Sequence, residues 1–200
     1  MSSPPSGTAK LPRAGAVRIV VRTGPDHRSS APAVLAAALG LAPDELELER
    51  DGRGKPFIRA PATDLRFSFA HTADLTLVAL TTGIEVGVDV ERLDRDVTAW
   101  ALWRHTLTAD ETSRLPVDQT ARNACLLQLW VRKEALLKAA GVGLGVEPRA
   151  IELAGDGRVL ALPAALGAAS AWSLHDVAVP GCAAAVACSP PVAMVEIDFE

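Results

Sequence analysis

Along this chain the spacing of apolar residues changes several times, and each change marks an element. "AVRIVVR" (Ala16–Arg22) is dense in branched aliphatics and predicts a strand. "APAVLAAALGLAPDEL" predicts a helix ending near Gly40, followed by a short acidic turn. "ERDGRGKPFI" has the glycine-rich, charged look of a hairpin or loop leading into a strand. "LRFSFAHTADLTLVALTTGIEVGVDVE" predicts three strands, around Phe67–Phe69, Leu75–Leu80 and Ile84–Glu91, with "TTG" as the tight turn between the last two. After "RLDRDV" the period becomes helical. Thr108 and Glu111 in "LTADETSRL" have capping-box spacing, and a longer helix runs from about Thr120 to Ala140 with Gly141 at its C-cap. Strands return at Ala150–Leu153, Arg158–Leu162, Ala171–Val177 and Ala183–Cys188.

Each half therefore offers a helix and several short strands, so the predicted fold class is α+β. Two similar subdomains are expected, 15–92 and 93–200, each packing a helix on a small, mostly antiparallel sheet. The Pro-, Ser- and Gly-rich stretch 1–14 precedes them and reads as a disordered tail.

One stretch breaks the apolar pattern in a way that asks for chemistry. In "GVDVERLD", Ile84, Val86, Val88 and Val90 share one face of a strand, while Glu85, Gly87, Asp89 and Glu91 share the other. Asp89 and Glu91 then stand roughly 7 Å apart, and like charges so close repel unless water or a cation lies between them. A solvated edge strand and a divalent-metal site both fit. The long helix raises a similar question in "WVRKEALLKAAGVGL" (Trp130–Leu144). Glu134 and Lys138 neighbour each other four residues apart, with Trp130 one turn earlier. An ordinary surface ion pair would explain them, but the surrounding sequence is strongly apolar, and buried charges need partners.

Composition narrows the class further. The 200 residues are 49% apolar and 22% charged, as in a soluble globular protein, and the net charge of −4 does not favour nucleic acid. No apolar run is long enough to span a membrane, and the start of the sequence lacks the apolar core of a signal peptide. Cys125, Cys182 and Cys188 have no metal-binding spacing and suit reduced thiols of a cytoplasmic protein.

"GVDVE" followed some forty residues later by "WVRKEALLKAAGVGL" resembles the paired signature of the 4′-phosphopantetheinyl transferases. "GKPFI" (Gly54–Ile58) and "FSFAHT" (Phe67–Thr72) are similar to two further segments of that family, although Ser68 and Ala70 depart from its pattern. The likeness runs from about Leu39 to Leu144, and the chain length is similar to the larger, two-subdomain type that activates polyketide and nonribosomal peptide synthetases. The resemblance implies a monomeric pseudo-dimer with the active site at the junction of its subdomains. It also implies transfer of the phosphopantetheine arm of coenzyme A to a serine of an acyl or peptidyl carrier protein, releasing 3′,5′-ADP. Asp89, Glu91 and Glu134 would then hold Mg²⁺, with Mn²⁺ also acceptable, and Glu134 would double as the acceptor of the serine proton. Lys138 would hold a phosphate and act with Glu134 in catalysis, and Lys133 would hold a phosphate also. His71 would contact the 3′-phosphate, with Lys55 and Arg28 serving the nucleotide end. The helix before Gly40 lacks the basic residues usual in the family. That keeps open a non-catalytic relative that binds coenzyme A or a synthetase. A metal-dependent pyrophosphate hydrolase is the other alternative. Trp100 and Trp103 read as core packing or, with Arg92, Arg95, Arg104 and Arg114, as a docking face for the carrier.

Overall fold

The computed structural model describes residues 11–98 and 103–200, so Trp100 and the first ten residues of the expected tail lie outside the described residues. Strand β1 (Ala16–Thr23) is followed by helix α1 (Ser30–Leu39), the hairpin β2 (Glu47–Arg50) and β3 (Pro56–Ala60), and three consecutive strands: β4 (Leu65–His71), β5 (Leu75–Thr82) and β6 (Glu85–Arg92). Two short helices, α2 (Trp103–Thr106) and α3 (Ala109–Ser113), lead into the long α4 (Gln119–Ala140). The small hairpin β7 (Glu152–Leu153) and β8 (Val159–Ala161) and the strands β9 (Ser173–Asp176), β10 (Cys182–Ser189) and β11 (Met194–Phe199) follow. The fold is α+β, as the sequence predicts.

Two sheets form the centre. One has the order β11-β1-β5-β4, with β11 parallel to β1 and the other pairs antiparallel. The second, β6-β10-β9, is antiparallel throughout. Side chains of a strand alternate between faces, and both sheets here bury both faces. Val17, Ile19 and Val21 of β1 and Leu75, Leu77 and Ala79 of β5 face the second sheet, meeting Val86, Val88 and Val90 of β6. Val20, Val78 and Leu80 point the other way, onto Ala31, Val34 and Leu35 of α1. The outer face of the second sheet carries Ala183, Ala185 and Ala187 of β10, packed on Leu127, Val131, Ala135 and Leu136 of α4. The layers thus run α1, sheet, sheet, α4.

β6 follows β5 in the chain yet hydrogen-bonds to β10, while β11 returns to pair with β1. Each half of the chain so contributes a strand to the sheet built mainly by the other. β4 and β6 are edge strands of different sheets, and a side chain joins them: the Val88 N–H donates to Ser68 Oγ at 3.1 Å.

α4 is assembled from strong helix formers and has defined ends. The Asp118 side chain accepts from the Ala121 N–H at 2.8 Å. Gly141 ends the helix in the left-handed conformation with φ 62°, its N–H turned back to the carbonyls of Leu137 and Lys138. α3 carries the predicted capping box: Thr108 Oγ1 accepts from Glu111 N–H, and Glu111 Oε2 accepts from Thr108 N–H.

Candidate active site at the β6–α4 contact

On the polar face of "GVDVE", Gly87 and Asp89 lie buried against a helix, and only Glu91 reaches the surface. Gly87 is the reason α4 can come so close. A Cβ on Gly87 would fall 2.1 Å from the carbonyl oxygen of Ala135 and 2.3 Å from the amide nitrogen of Ala139. Only glycine fits between these two backbones, and their approach sets Asp89 beside Glu134 and Lys138.

Lys138 Nζ donates to Asp89 Oδ1 at 2.7 Å and to the Val88 carbonyl at 3.2 Å. Asp89 is only 8% exposed, and its Oδ2 is the one buried side-chain oxygen or nitrogen without a hydrogen-bond partner among the described residues. Such an atom is costly unless something else binds it. Burial pushes the Asp89 carboxyl above its usual range, with Glu91 adding to the rise and Lys138 opposing it. Burial raises Glu134 too, and the charges of Asp89 and then Glu91 reinforce this against Lys138. Three carboxylates therefore feel one another at this contact. Glu91 is occupied at the surface, where both its oxygens accept from Arg95 Nη1 at 2.7 Å.

Among the described residues no three His, Cys, Asp or Glu side chains converge as a set able to hold a metal alone. Magnesium does not need one. It is commonly held by one or two carboxylates, with substrate phosphate oxygens and water completing the octahedron. The unpartnered Asp89 Oδ2, with Glu91 and Glu134 in electrostatic reach, fits such a shared shell.

Other expected site residues fall into three groups. Lys55, from the turn between β2 and β3, reaches α4: its Nζ donates to the Ala139 carbonyl at 2.8 Å and pairs with Glu85. It also lines a cleft of about 460 Å³ together with Arg53, Trp130, Glu134, Leu137 and Lys138. A larger cleft of about 810 Å³ lies beyond Lys55, bounded by Phe57, Arg66 and Glu85, and includes none of the three carboxylates. His71, exposed at the end of β4, and Arg28, exposed ahead of α1, belong to a cationic neighbourhood. The His71 imidazole is held below its usual range first by burial and then by the charges of Arg28, His27 and Lys138. His27 itself is a structural residue, buried between Thr76 Oγ1 and the Ala73 carbonyl at 3.1 Å each.

Lys133 does not join the site. It is fully buried, and its Nζ donates to Glu111 Oε2 at 2.6 Å and to the Thr106 carbonyl at 2.7 Å. Glu111 is equally buried and also accepts from the Leu153 N–H at 3.0 Å, so the pair is saturated. The expectation of a phosphate ligand is corrected here. Lys138 lies five positions after Lys133, about 140° around the helix, so Lys138 faces β6 and Lys133 faces α3. Glu111 carried a signal in its capping box but not in its partner.

The expected docking arginines are also engaged. Arg92 pairs with Asp74 and Asp94, Arg95 with Glu91, and Arg114 donates to the Leu153 carbonyl. Arg104 Nε lies 3.1 Å from His105 Nε2. Trp103 meets Trp130 edge-on at 6.4 Å, as core packing requires, and donates to the Val97 carbonyl. Of the two departures in "FSFAHT", Ser68 fastens β6, whereas Ala70 is packed in the core between the sheets.

Fold and site together define a protein whose α+β layers set Glu134 and Lys138 on the wall of a cleft, with Asp89 held by Lys138 and with His71 in electrostatic reach of Lys138 and Arg28. The sequence profile of the 4′-phosphopantetheinyl transferase superfamily matches residues 85–187, from the first residue of β6 to nearly the end of β10. The chain belongs to that superfamily. It is 32% identical over 161 residues to the 4′-phosphopantetheinyl transferase HetI of Nostoc sp., an overlap covering 77% of this chain and 65% of the relative. A phosphopantetheinyl transferase of Thraustochytrium sp. is 30% identical over 146 residues, 66% of this chain and 47% of the relative. An L-aminoadipate-semialdehyde dehydrogenase-phosphopantetheinyl transferase of Xenopus laevis is 30% identical over 130 residues, 60% of this chain and 43% of that protein. The chain thus matches 43% to 65% of the length of these relatives.

Proposed function

We propose that this protein transfers the 4′-phosphopantetheine arm of coenzyme A to a serine hydroxyl of an apo acyl or peptidyl carrier protein. The observation that carries the reading is the β6–α4 contact, where Asp89 offers an unsatisfied buried oxygen beside Glu134 and Lys138. The serine oxygen forms a bond to the phosphorus bearing pantetheine. The pyrophosphate P–O bond breaks, and 3′,5′-ADP leaves. Glu134, partly buried and facing the cleft, takes the serine proton. Its raised proton affinity suits a base better than an ordinary surface carboxylate. Lys138 gives up part of its bond to Asp89 and places its charge on a phosphate oxygen. Arg28 and His71 are assigned the 3′-phosphate end, and Lys55 the nucleotide side of the cleft.

Asp89, Glu91 and Glu134 would hold Mg²⁺, or Mn²⁺ in its place. The ion would neutralise charge that develops on the phosphates. We further assign the chain to the larger, two-subdomain class that serves polyketide or nonribosomal peptide synthetases, acting as a cytoplasmic monomer. Support comes from two helix-covered sheets within one chain, and from three cysteines that form no disulfide among the described residues. No helix among those residues is long and apolar enough to cross a membrane.

The intact mass of apo carrier proteins incubated with this protein, coenzyme A and Mg²⁺ tests the reading. A gain of one phosphopantetheine that Glu134→Gln abolishes is the expected result. No gain on several unrelated carriers, despite measurable coenzyme A binding, would replace the transferase with a non-catalytic relative. Breakdown of coenzyme A without any carrier would identify a hydrolase.

A further inference from the structure

Glu91 does not present bare oxygens to a cation. Both accept from the Arg95 guanidinium at 2.7 Å, the side chain of Glu91 being 21% exposed and that of Arg95 45%. The turn that carries Arg95 is fastened. The Arg95 N–H closes it on the Arg92 carbonyl at 3.2 Å. From α4, the Asn123 amide donates to the carbonyls of Arg95 at 2.8 Å and Leu93 at 3.3 Å, and its oxygen accepts from the Val97 N–H at 2.8 Å. One side chain on the helix that bears Glu134 thus holds the segment that delivers the guanidinium.

A cation shared by Asp89 and Glu91 must compete with Arg95 for the Glu91 oxygens, which already accept from it, and it is repelled by the guanidinium charge. We infer that Arg95 is the resident counter-ion of Glu91 and sets, by competition, the affinity of the site for a divalent cation. When no cation is bound, it holds Glu91 oriented beside Asp89. When one binds, Glu91 exchanges the guanidinium for the ion. Arg95 is a positioning residue here, and the inference rests on the reading of Asp89 and Glu91 as ligands.

Mn²⁺ alone serves as the probe, its unbound fraction followed by electron paramagnetic resonance. The full chain is titrated with saturating coenzyme A, and a coenzyme-only blank is subtracted. Arg95→Gln should bind Mn²⁺ roughly three- to thirtyfold more tightly than the wild type, through loss of a partly exposed competing pair and of a like charge near the ion. Arg95→Lys, which keeps the charge, should fall between them. A thermal scan without metal checks that both variants are folded. Arg95→Gln affinity equal to or weaker than wild type overturns the inference, provided Asp89→Asn abolishes the same binding. Failure of Asp89→Asn to reduce binding removes the carboxylate reading itself, and the inference with it.

Discussion

Gly87→Ala puts a methyl group where the strand and the helix leave no room for one. The new carbon would sit 2.1 Å and 2.3 Å from two backbone atoms of α4, whereas ordinary contacts begin near 3.4 Å. Neither atom belongs to a side chain, so no rotamer change can relieve the clash. The helix must retreat from β6 by roughly 1 Å, at the scale of cost found for overpacked cores, about 1–3 kcal/mol. For a chain of this size that lowers the melting temperature by roughly 2–12 °C. The same retreat separates Glu134 and Lys138 from Asp89, and misplacement of about 1 Å at a reacting centre can cost on the order of 100-fold in rate. The assay pairs thermal unfolding with carrier loading followed by mass. Loss should exceed what the fraction unfolded at the assay temperature explains. Ala135→Gly in the same background should not help, because the obstacle is the Ala135 carbonyl rather than its methyl. A Gly87→Ala protein with wild-type melting and loading would refute the argument that this contact sets the site.

Lys133→Met strands the Glu111 carboxylate in the core with its two backbone N–H bonds but without a counter-charge, and should cost about 3–5 kcal/mol in urea unfolding. Adding Glu111→Gln should recover part of that loss. Equal stability of Lys133→Met and wild type would show that the pair contributes nothing. Burial pushes the Cys188 thiol up to about 12 from an ordinary value near 9. An acid whose folded pKa is raised favours the fold while protonated, so its contribution is complete below about 9 and is lost as pH climbs toward 12. The unfolding free energy from urea titrations should therefore fall more steeply with pH above 9 in the wild type than in Cys188→Ala, by up to about 1.4 kcal/mol per pH unit. Parallel slopes would refute this.

The alternation in "GVDVE" was enough to sort its residues onto two faces correctly, because period two is a local property of a strand. What lay opposite the polar face was not local. Only the packing of α4 across Gly87 makes Asp89 a buried carboxylate instead of a solvated one. Lys133 and Lys138 looked alike in an apolar setting, and the choice between them depended on Glu111 arriving from another helix. The capping box, the span of α4 and its Gly141 stop were legible, since side chain and backbone meet there within four residues. β11 was missed although "VEIDF" alternates apolar and polar, a readable signal left unused. Its parallel place beside β1 was beyond any local pattern.

That place has a consequence for how the chain acquires its shape. Arg22 and Glu200 are 178 residues apart in sequence and are ion-paired across the β1–β11 edge. Contacts closed over such a distance come late and slow the search for the native state. As synthesis proceeds from the N-terminus, β1 and β5 emerge with one flank of β1 unfilled, and β6 waits for β10. An open strand flank invites pairing with the wrong neighbour. Severing the chain after Arg92 would therefore yield two fragments that each lack a strand the other carries. They should regain a defined structure only when mixed.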